Sequence, residues 1–184
     1  CRGYLLDRDL VDSGCLGSRA QAKMRAKIGI LSEGEEKSLN KALGGIIRDQ
    51  EEGLFVIEKD DEDCHTAIEN RLVRETGEAG KKIHTGRSRN DQVLTALRLR
   101  GRDDPFGILE DGTALVEILL AFAETYKNIP MPGRTHTQLA MPSSVGLWMA
   151  AYAEEILDGL ELLRAVYDLV NRCPLGSAAS YGTP

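Results

Sequence analysis

The stretch that decides the fold is Val145-Gly146-Leu147-Trp148-Met149-Ala150-Ala151-Tyr152-Ala153-Glu154-Glu155-Ile156-Leu157-Asp158-Gly159-Leu160-Glu161-Leu162-Leu163-Arg164-Ala165-Val166-Tyr167-Asp168-Leu169-Val170. Val145, Trp148, Tyr152, Ile156, Leu160, Leu163, Tyr167 and Val170 recur every three or four residues, the period of one helix face. Ser143 is the expected cap and Pro174 the expected stop. A helix over that span is about 45 Å long at about 1.5 Å per residue. A domain of this chain's size is about 35–40 Å across. The helix therefore belongs to a larger bundle or to an oligomer.

Outward from it, the other segments also read as helical. Ser18 precedes an Ala/Met/Ile-bearing run, Arg19 to Leu31. Ser32 and Glu35 form the S-x-x-E of a capping box, with Leu39, Leu43, Ile46 and Ile47 on one face behind them. Leu54-Phe55-Val56-Ile57 suits a short strand or an extended connector. Asp61 to Asp63 suit the start of a helix carrying Ile68 and Leu72 and ending at Gly77. Residues 77–90 hold three glycines and read as a loop. Val93, Leu94 and Leu97 follow. Then Ile108, Leu115, Ile118, Leu119, Phe122 and Tyr126 mark a further helix, with Gly101 and Asp103-Asp104-Pro105 expected to break or kink the run between them. Residues 129–142 carry three prolines and read as a second loop.

The whole is 184 residues, 42% hydrophobic and 28% charged, with a net charge of −6. Such a chain buries roughly 70% of its unfolded surface without disulfides. The acidic balance disfavours a nucleic-acid or membrane-surface partner, and no apolar run reaches the roughly 18 residues of a membrane span. Cys1, Cys15, Cys64 and Cys173 lie far apart with no C-x-x-C, which suits reduced thiols in a cytoplasmic protein rather than a zinc site. The opening Cys1-Arg2-Gly3 lacks both an initiator Met and a secretory pattern, and Leu175 to Pro184 holds no terminating element.

Three polar segments could carry chemistry, and each holds one of the three histidines. Lys81, Lys82, His84, Arg87 and Arg89 crowd a glycine-bearing loop beside Asn90, a composition that suits carboxylate or phosphate binding. A solvated basic turn has the same composition. His136 lies between Thr135, Thr137 and Gln138 in a segment stiffened by Pro132 and Pro142, a suitable place for proton transfer. A structural surface histidine fits as well. Cys64-His65 starts a helix, where an anion is favoured, although ordinary helix surface reads the same way.

These segments resemble a known family. His84-Thr85-Gly86-Arg87-Ser88-Arg89-Asn90-Asp91-Gln92-Val93 is similar to the signature loop of the argininosuccinate lyases and their relatives the δ-crystallins, in the fumarase/aspartase superfamily. Met131 to Gln138 resembles the family's P-G-Y-T-H-L-Q. Glu62 to Ala67 resembles E-D-x-H-T-A, and Cys173 to Ala178 resembles L-P-L-G-S-G/A. The motifs stand in family order and cover about the first half of a family member. Two departures are visible: Gly14 stands where the family has an Asp four residues before the Ser of Gly17-Ser18-Arg19-Ala20, and Gly101 and Pro105 lie where it runs a continuous helix.

The resemblance implies an all-α fold: an N-terminal helical domain, residues 1–86, and the first part of a long-helix central bundle, residues 87–184. It implies reversible cleavage of argininosuccinate to arginine and fumarate, in arginine biosynthesis, without metal or organic cofactor. It implies a homotetramer whose active sites take segments from three chains. By motif, His136 is the acid/base histidine and Thr135 a substrate contact. Ser88, Arg89 and Asn90 bind the dicarboxylate, Gln138 orients it and His65 lines the site. The family's G-S-S-x-M-P-x-K-x-N loop is not in this stretch, so the 184 residues alone are expected to be inactive. The alternatives are an adenylosuccinate-type lyase of the same superfamily and an inactive δ-crystallin-like structural protein.

Overall fold

The computed structural model describes residues 6–177. Cys1-Arg2-Gly3 and the end of the segment expected from Leu175 to Pro184, with Ala178 of the fourth motif, lie outside them. The fold is all-α apart from one short hairpin: α1 Val11–Lys27, α2 Glu33–Glu51, α3 Cys64–Thr76, α4 Glu78–Lys82, α5 Arg89–Tyr126, β1 Pro130–Thr135, β2 Gln138–Ser144 and α6 Val145–Val170. Two compact units divide the chain. One holds the residues up to Arg100 with those from Arg172 onward, and the other is Gly101–Asn171.

In the first unit the apolar phases set the core. Leu39, Leu43 and Ile46 of α2 are fully buried, as are Val11 and Cys15 of α1 and Leu72 of α3. The Ser32/Glu35 capping box closes α2: the Ser32 hydroxyl accepts from the Glu35 N–H, and the Glu35 carboxylate accepts from the Ser32 N–H at 2.8 Å. Glu35 also takes a hydrogen bond from Lys82 at 2.6 Å, and with the bonds from Ser32 this holds its carboxyl down to about 2. Asp63 caps α3 by accepting from the Thr66 N–H at 2.7 Å. Leu54 to Ile57 form an extended connector that alternates exposed Leu54 and Val56 with buried Phe55 and Ile57.

Ser18 is no helix start. The helix begins seven residues earlier and carries Ser18 on its buried face. Gly14 and Gly17, poor helix formers, are held there by packing. A Cβ on Gly14 would stand 3.2 Å from Ile68 and 3.3 Å from the His65 ring, so α1 and α3 touch through a glycine. Part of the expected 77–90 loop is the short helix α4. It crosses α3 so closely that a Cβ on Gly80 would stand 2.7 Å from the Val73 backbone.

In the second unit, of the break or kink expected between Gly101 and Pro105, the break does not occur: α5 runs through with Pro105 inside it. A proline costs one helical hydrogen bond and pushes on the carbonyl four residues back, here that of Gly101. Pro105 is buried, and the hydrogen bonds of the turns on either side keep the helix continuous. The expected second loop is an antiparallel hairpin, β1 to β2, with Pro132 opposite Pro142 and a bulge between Pro132 and Arg134. A two-stranded sheet has only edges, so prolines fit where no ladder N–H is needed. Ser144, not Ser143, caps α6 by accepting from the Leu147 N–H, and the helix is about 39 Å long at about 1.5 Å per residue. Gly146 brings α6 against α5, where a Cβ would stand 2.5 Å from the Ala123 carbonyl oxygen.

The glycines sort into two kinds with opposite mutational signs. Nothing lies within 4 Å of a Cβ on Gly44 in mid-α2. Gly44→Ala is therefore expected to stabilise the chain by about 0.5–1 kcal/mol, the helical cost of glycine. Gly80→Ala meets backbone and is expected to cost about 1–3 kcal/mol. Equilibrium denaturation of the two variants checks both; equal and same-signed effects would count against this packing.

Candidate functional site

The site begins at the N-terminus of α5. Ser88 caps it: its hydroxyl accepts from the Asn90 N–H at 3.2 Å, while its own N–H donates to the buried Asp91 carboxylate at 3.1 Å. Arg89 and Asn90 are thus the first two residues of a long helix, where N–H groups and the helix dipole favour an anion. Arg89 reaches across to the start of α3, donating to the Thr66 hydroxyl at 3.1 Å and lying 3.5 Å from the Asp63 carboxylate. Two helix N-termini converge there. The Asn90 side chain is exposed and makes no hydrogen bond among the described residues.

His65 stands in the first turn of α3, 6% exposed, against Gly14. Its Nε2 is buried without a hydrogen-bond partner. Burial pushes it down to about 4. Arg89 and Arg87 push the same way, against Asp63 and Asp7. His65 is therefore a neutral imidazole at pH 7.

His84 and Arg87, already marked among the cations of the loop, complete this corner with Glu69, Gln92 and Arg25. Arg87 donates to the Ser18 hydroxyl at 3.4 Å, and burial lowers its own value to about 10. His84 Nε2 lies 2.6 Å from Glu69, and the Gln92 side-chain oxygen accepts from the Arg87 guanidinium, 3.0 Å from Nε. Burial, then Arg87, Arg89 and Arg25, brings His84 down to about 4. The contact with Glu69 is thus a hydrogen bond given by a neutral ring, because three neighbouring arginines oppose a further positive charge. Arg25, 2% exposed on α1, donates to the carbonyls of Lys82 at 2.7 Å, Ile83 at 2.5 Å and Thr85. A sequence signal for Arg25 existed: Val11, Cys15, Ser18, Ala22 and Arg25 step by four and three, so a charge sits on a buried stripe.

Thr135, His136 and Gln138 lie in the other unit, at the tip of the hairpin. His136 and Thr137 are the two turn residues, both with positive φ, 51° and 67°. Asn and Gly are the usual residues of such a turn, and a β-branched Thr there is strained by about 1–3 kcal/mol. The Thr135 hydroxyl lies 3.0 Å from His136 Nδ1, and the Thr137 hydroxyl donates to the His136 carbonyl at 2.6 Å. With Nδ1 engaged, Nε2 of the exposed ring is the nitrogen left for chemistry. Among the described residues Cys15 and Cys64 are buried free thiols, pushed well up by burial, Cys64 to about 12. Also among them, no helix is long and apolar enough to cross a membrane.

A family described as lyase matches residues 4–184. The argininosuccinate lyase of Thermotoga neapolitana is 44% identical over 181 residues, 98% of this chain and 46% of that protein. The argininosuccinate lyase of Phocaeicola vulgatus is 46% identical over 178 residues, 97% of this chain and 40% of that protein. The chain thus spans less than half the length of these relatives. Among solved structures, an EDDS lyase variant with bound fumarate superposes with a TM-score of 0.81 at 26% identity, over 97% of this chain and 35% of the other. A fumarate lyase:delta crystallin from Brucella melitensis does so with a TM-score of 0.80 at 21% identity, over 95% and 43%, a likeness of fold.

The neutral burial of His65 carries a pH dependence with a definite sign. The unfolded chain's histidine takes up a proton near 6.5, the folded one only near 4. Between those values the unfolded state binds more protons, so stability falls as pH drops through that window and is flat in His65 above it. His84 acts in the same direction. His65→Gln is expected to flatten the acid limb by about 1–3 kcal/mol, measured as melting temperature from pH 7 to 4. An unchanged limb would mean that His65 binds its proton equally well in the folded and unfolded chain.

Proposed function

The chain belongs to the lyase family, and from that premise we propose that it is the N-terminal part of an argininosuccinate lyase, which cleaves argininosuccinate to arginine and fumarate. The observation that carries this reading is 44–46% identity to argininosuccinate lyases along nearly the whole chain, with a positively charged double helix terminus at the matching loop. A fumarate-bound neighbour of the same fold supports a dicarboxylate ligand.

In this reading the dicarboxylate lies on the α5 N-terminus, held by Ser88, Arg89 and Asn90 and lined by His65. A proton leaves the carbon next to a carboxylate, the carbanion is held as an aci-carboxylate, and the guanidino nitrogen departs as the double bond of fumarate forms. Charge on that carboxylate grows toward the transition state, so fixed N–H groups and arginines stabilise it more than the ground state. His136 moves a proton at Nε2 or holds the group that does, with Thr135 fixing its ring, and Gln138 orients the substrate. No metal or organic cofactor is needed for these steps. The domain boundary proposed for the whole protein is 86/87, and its place is the cytoplasm.

Self-association fits the exposed apolar side chains of the second unit. Leu115, Ile118 and Phe122 on α5, and Trp148 and Tyr152 on α6, are each more than 40% exposed. Monomeric proteins rarely leave so much apolar surface in water. The proposed assembly is a homotetramer with shared active sites.

The decisive assay follows the ultraviolet absorbance of fumarate on adding argininosuccinate to the intact protein, with adenylosuccinate as control. Turnover of adenylosuccinate alone, or of neither, would overturn the reading. The 184 residues by themselves are expected to be inactive. In the intact protein, Asn90→Ala is expected to cost about 1–3 kcal/mol of substrate or transition-state binding with little change in melting temperature.

His136→Asn is expected to lose about 10²–10⁴-fold in kcat with a much smaller change in KM. Mixed with the Asn90→Ala protein under subunit exchange, it should regain part of the activity, because some sites then collect only intact segments. A near-normal kcat in His136→Asn would remove the histidine from the mechanism. Exchange without recovery would remove the shared site.

A further inference from the structure

A guanidinium taken out of water costs several kcal/mol unless its N–H groups are used. Arg25 is 2% exposed on the core face of α1, in a stripe otherwise made of Val11, Cys15, Ser18 and Ala22. What meets it are three carbonyl oxygens in four residues, those of Lys82, Ile83 and Thr85. They belong to the segment that ends α4 and leads into the cationic loop. The loop's far end is fixed separately, by the Ser88/Asp91 cap of α5. Between the two anchors lies Gly86, at φ 67°.

The electrostatics of these carbonyls matter for an anion. Each oxygen carries partial negative charge; the Lys82 oxygen also accepts from the Thr85 N–H at 3.1 Å, but without Arg25 the three together would repel a carboxylate at the α5 terminus and attract water or the loop's own arginines. We propose that Arg25 is a positioning residue for the substrate loop: it gathers the carbonyls of Lys82, Ile83 and Thr85 onto one buried cation, so that residues 87–90 turn hydroxyl, cationic and amide side chains, not carbonyl oxygens, toward the ligand. The proposal rests on the lyase reading for the identity of that ligand. It deepens that reading by adding a residue that touches no substrate and lies outside every recognised motif. It also sets a chemical requirement. The group at position 25 must donate several hydrogen bonds and carry charge, which only Arg meets fully and Lys in part.

The test uses the intact protein with Arg25→Met, Arg25→Lys and Arg25→Gln, reading argininosuccinate kinetics, amide hydrogen exchange and melting temperature. For Arg25→Met, KM is expected to rise about 10- to 100-fold, the scale of losing hydrogen bonds from a charged donor, with kcat changing much less. Amide exchange should quicken at residues 82–90 and stay unchanged in α2. Arg25→Lys should recover part of both effects. If methionine prevents folding, the shorter, neutral but still polar Arg25→Gln takes its place, with the same selective loosening expected. Wild-type KM and loop exchange in Arg25→Gln would overturn the proposal. So would a uniform loosening of α1, α2 and α3 with no recovery by lysine, which would make Arg25 a core residue only. If the wild-type intact protein fails to cleave argininosuccinate, the lyase reading falls, and the exchange pattern alone then decides the role of Arg25.

Discussion

A buried guanidinium must have its N–H groups paired, and Arg25 gives them to three carbonyl oxygens of the segment leading to α5, one buried and two partly buried. Arg25 on α1 holds Lys82, Ile83 and Thr85, and the consequences run outward from that contact. It joins the first helix to the loop across more than fifty residues of sequence. It places a buried positive charge beside His84 and Arg87; burial, then Arg87 and Arg89, and after them Arg25 keep the imidazole neutral. A neutral His84 gives its Nε2–H to Glu69, and the Gln92 oxygen accepts from the Arg87 guanidinium, so the polar groups behind the loop are paired.

The same corner shows why small residues recur in α1. His65 occupies the space that a side chain at position 14 would need, and the contact shuts its ring off from water. Gly80 does the equivalent for α4 against α3. Close helix approach here is a matter of missing Cβ atoms, and it fixes where the α3 and α5 N-termini stand within this unit. The hairpin uses the opposite device. It places a histidine and a β-branched threonine at positive φ, where glycine would be relaxed. Strain of that kind persists where the surrounding pairing over-determines it. Here the Thr135–Gln138 register and two threonine hydroxyls hold it.

Much of the fold was legible because it rests on local rules. The three-and-four spacing marked the faces of α2, α3 and α6. The Ser32/Glu35 box formed as read, and the helix start expected at Asp61 to Asp63 fell on Asp63, since each satisfies N–H groups within its own helix turn. The basic loop stood out because cations cluster there in an acidic chain. The roles of Ser88, Arg89, Asn90, His65, Thr135, His136 and Gln138 came from resemblance to a family, and their chemistry remains proposed.

The tertiary structure decided what local rules cannot. Ser18 looked like the residue before a helical run, yet the helix begins seven residues earlier and buries it. Pro105 looked like a stop, but one missing hydrogen bond is a small loss in a 38-residue helix. Three prolines excluded a helix over residues 129–142, but the hairpin needed its cross-strand partners to appear. Arg25 was visible only as a charge out of place on an apolar stripe. Helix phase and capping depend on neighbours within four residues, which the chain always carries with it. Burial, glycine contacts and the partners of a buried charge depend on residues brought together only by folding.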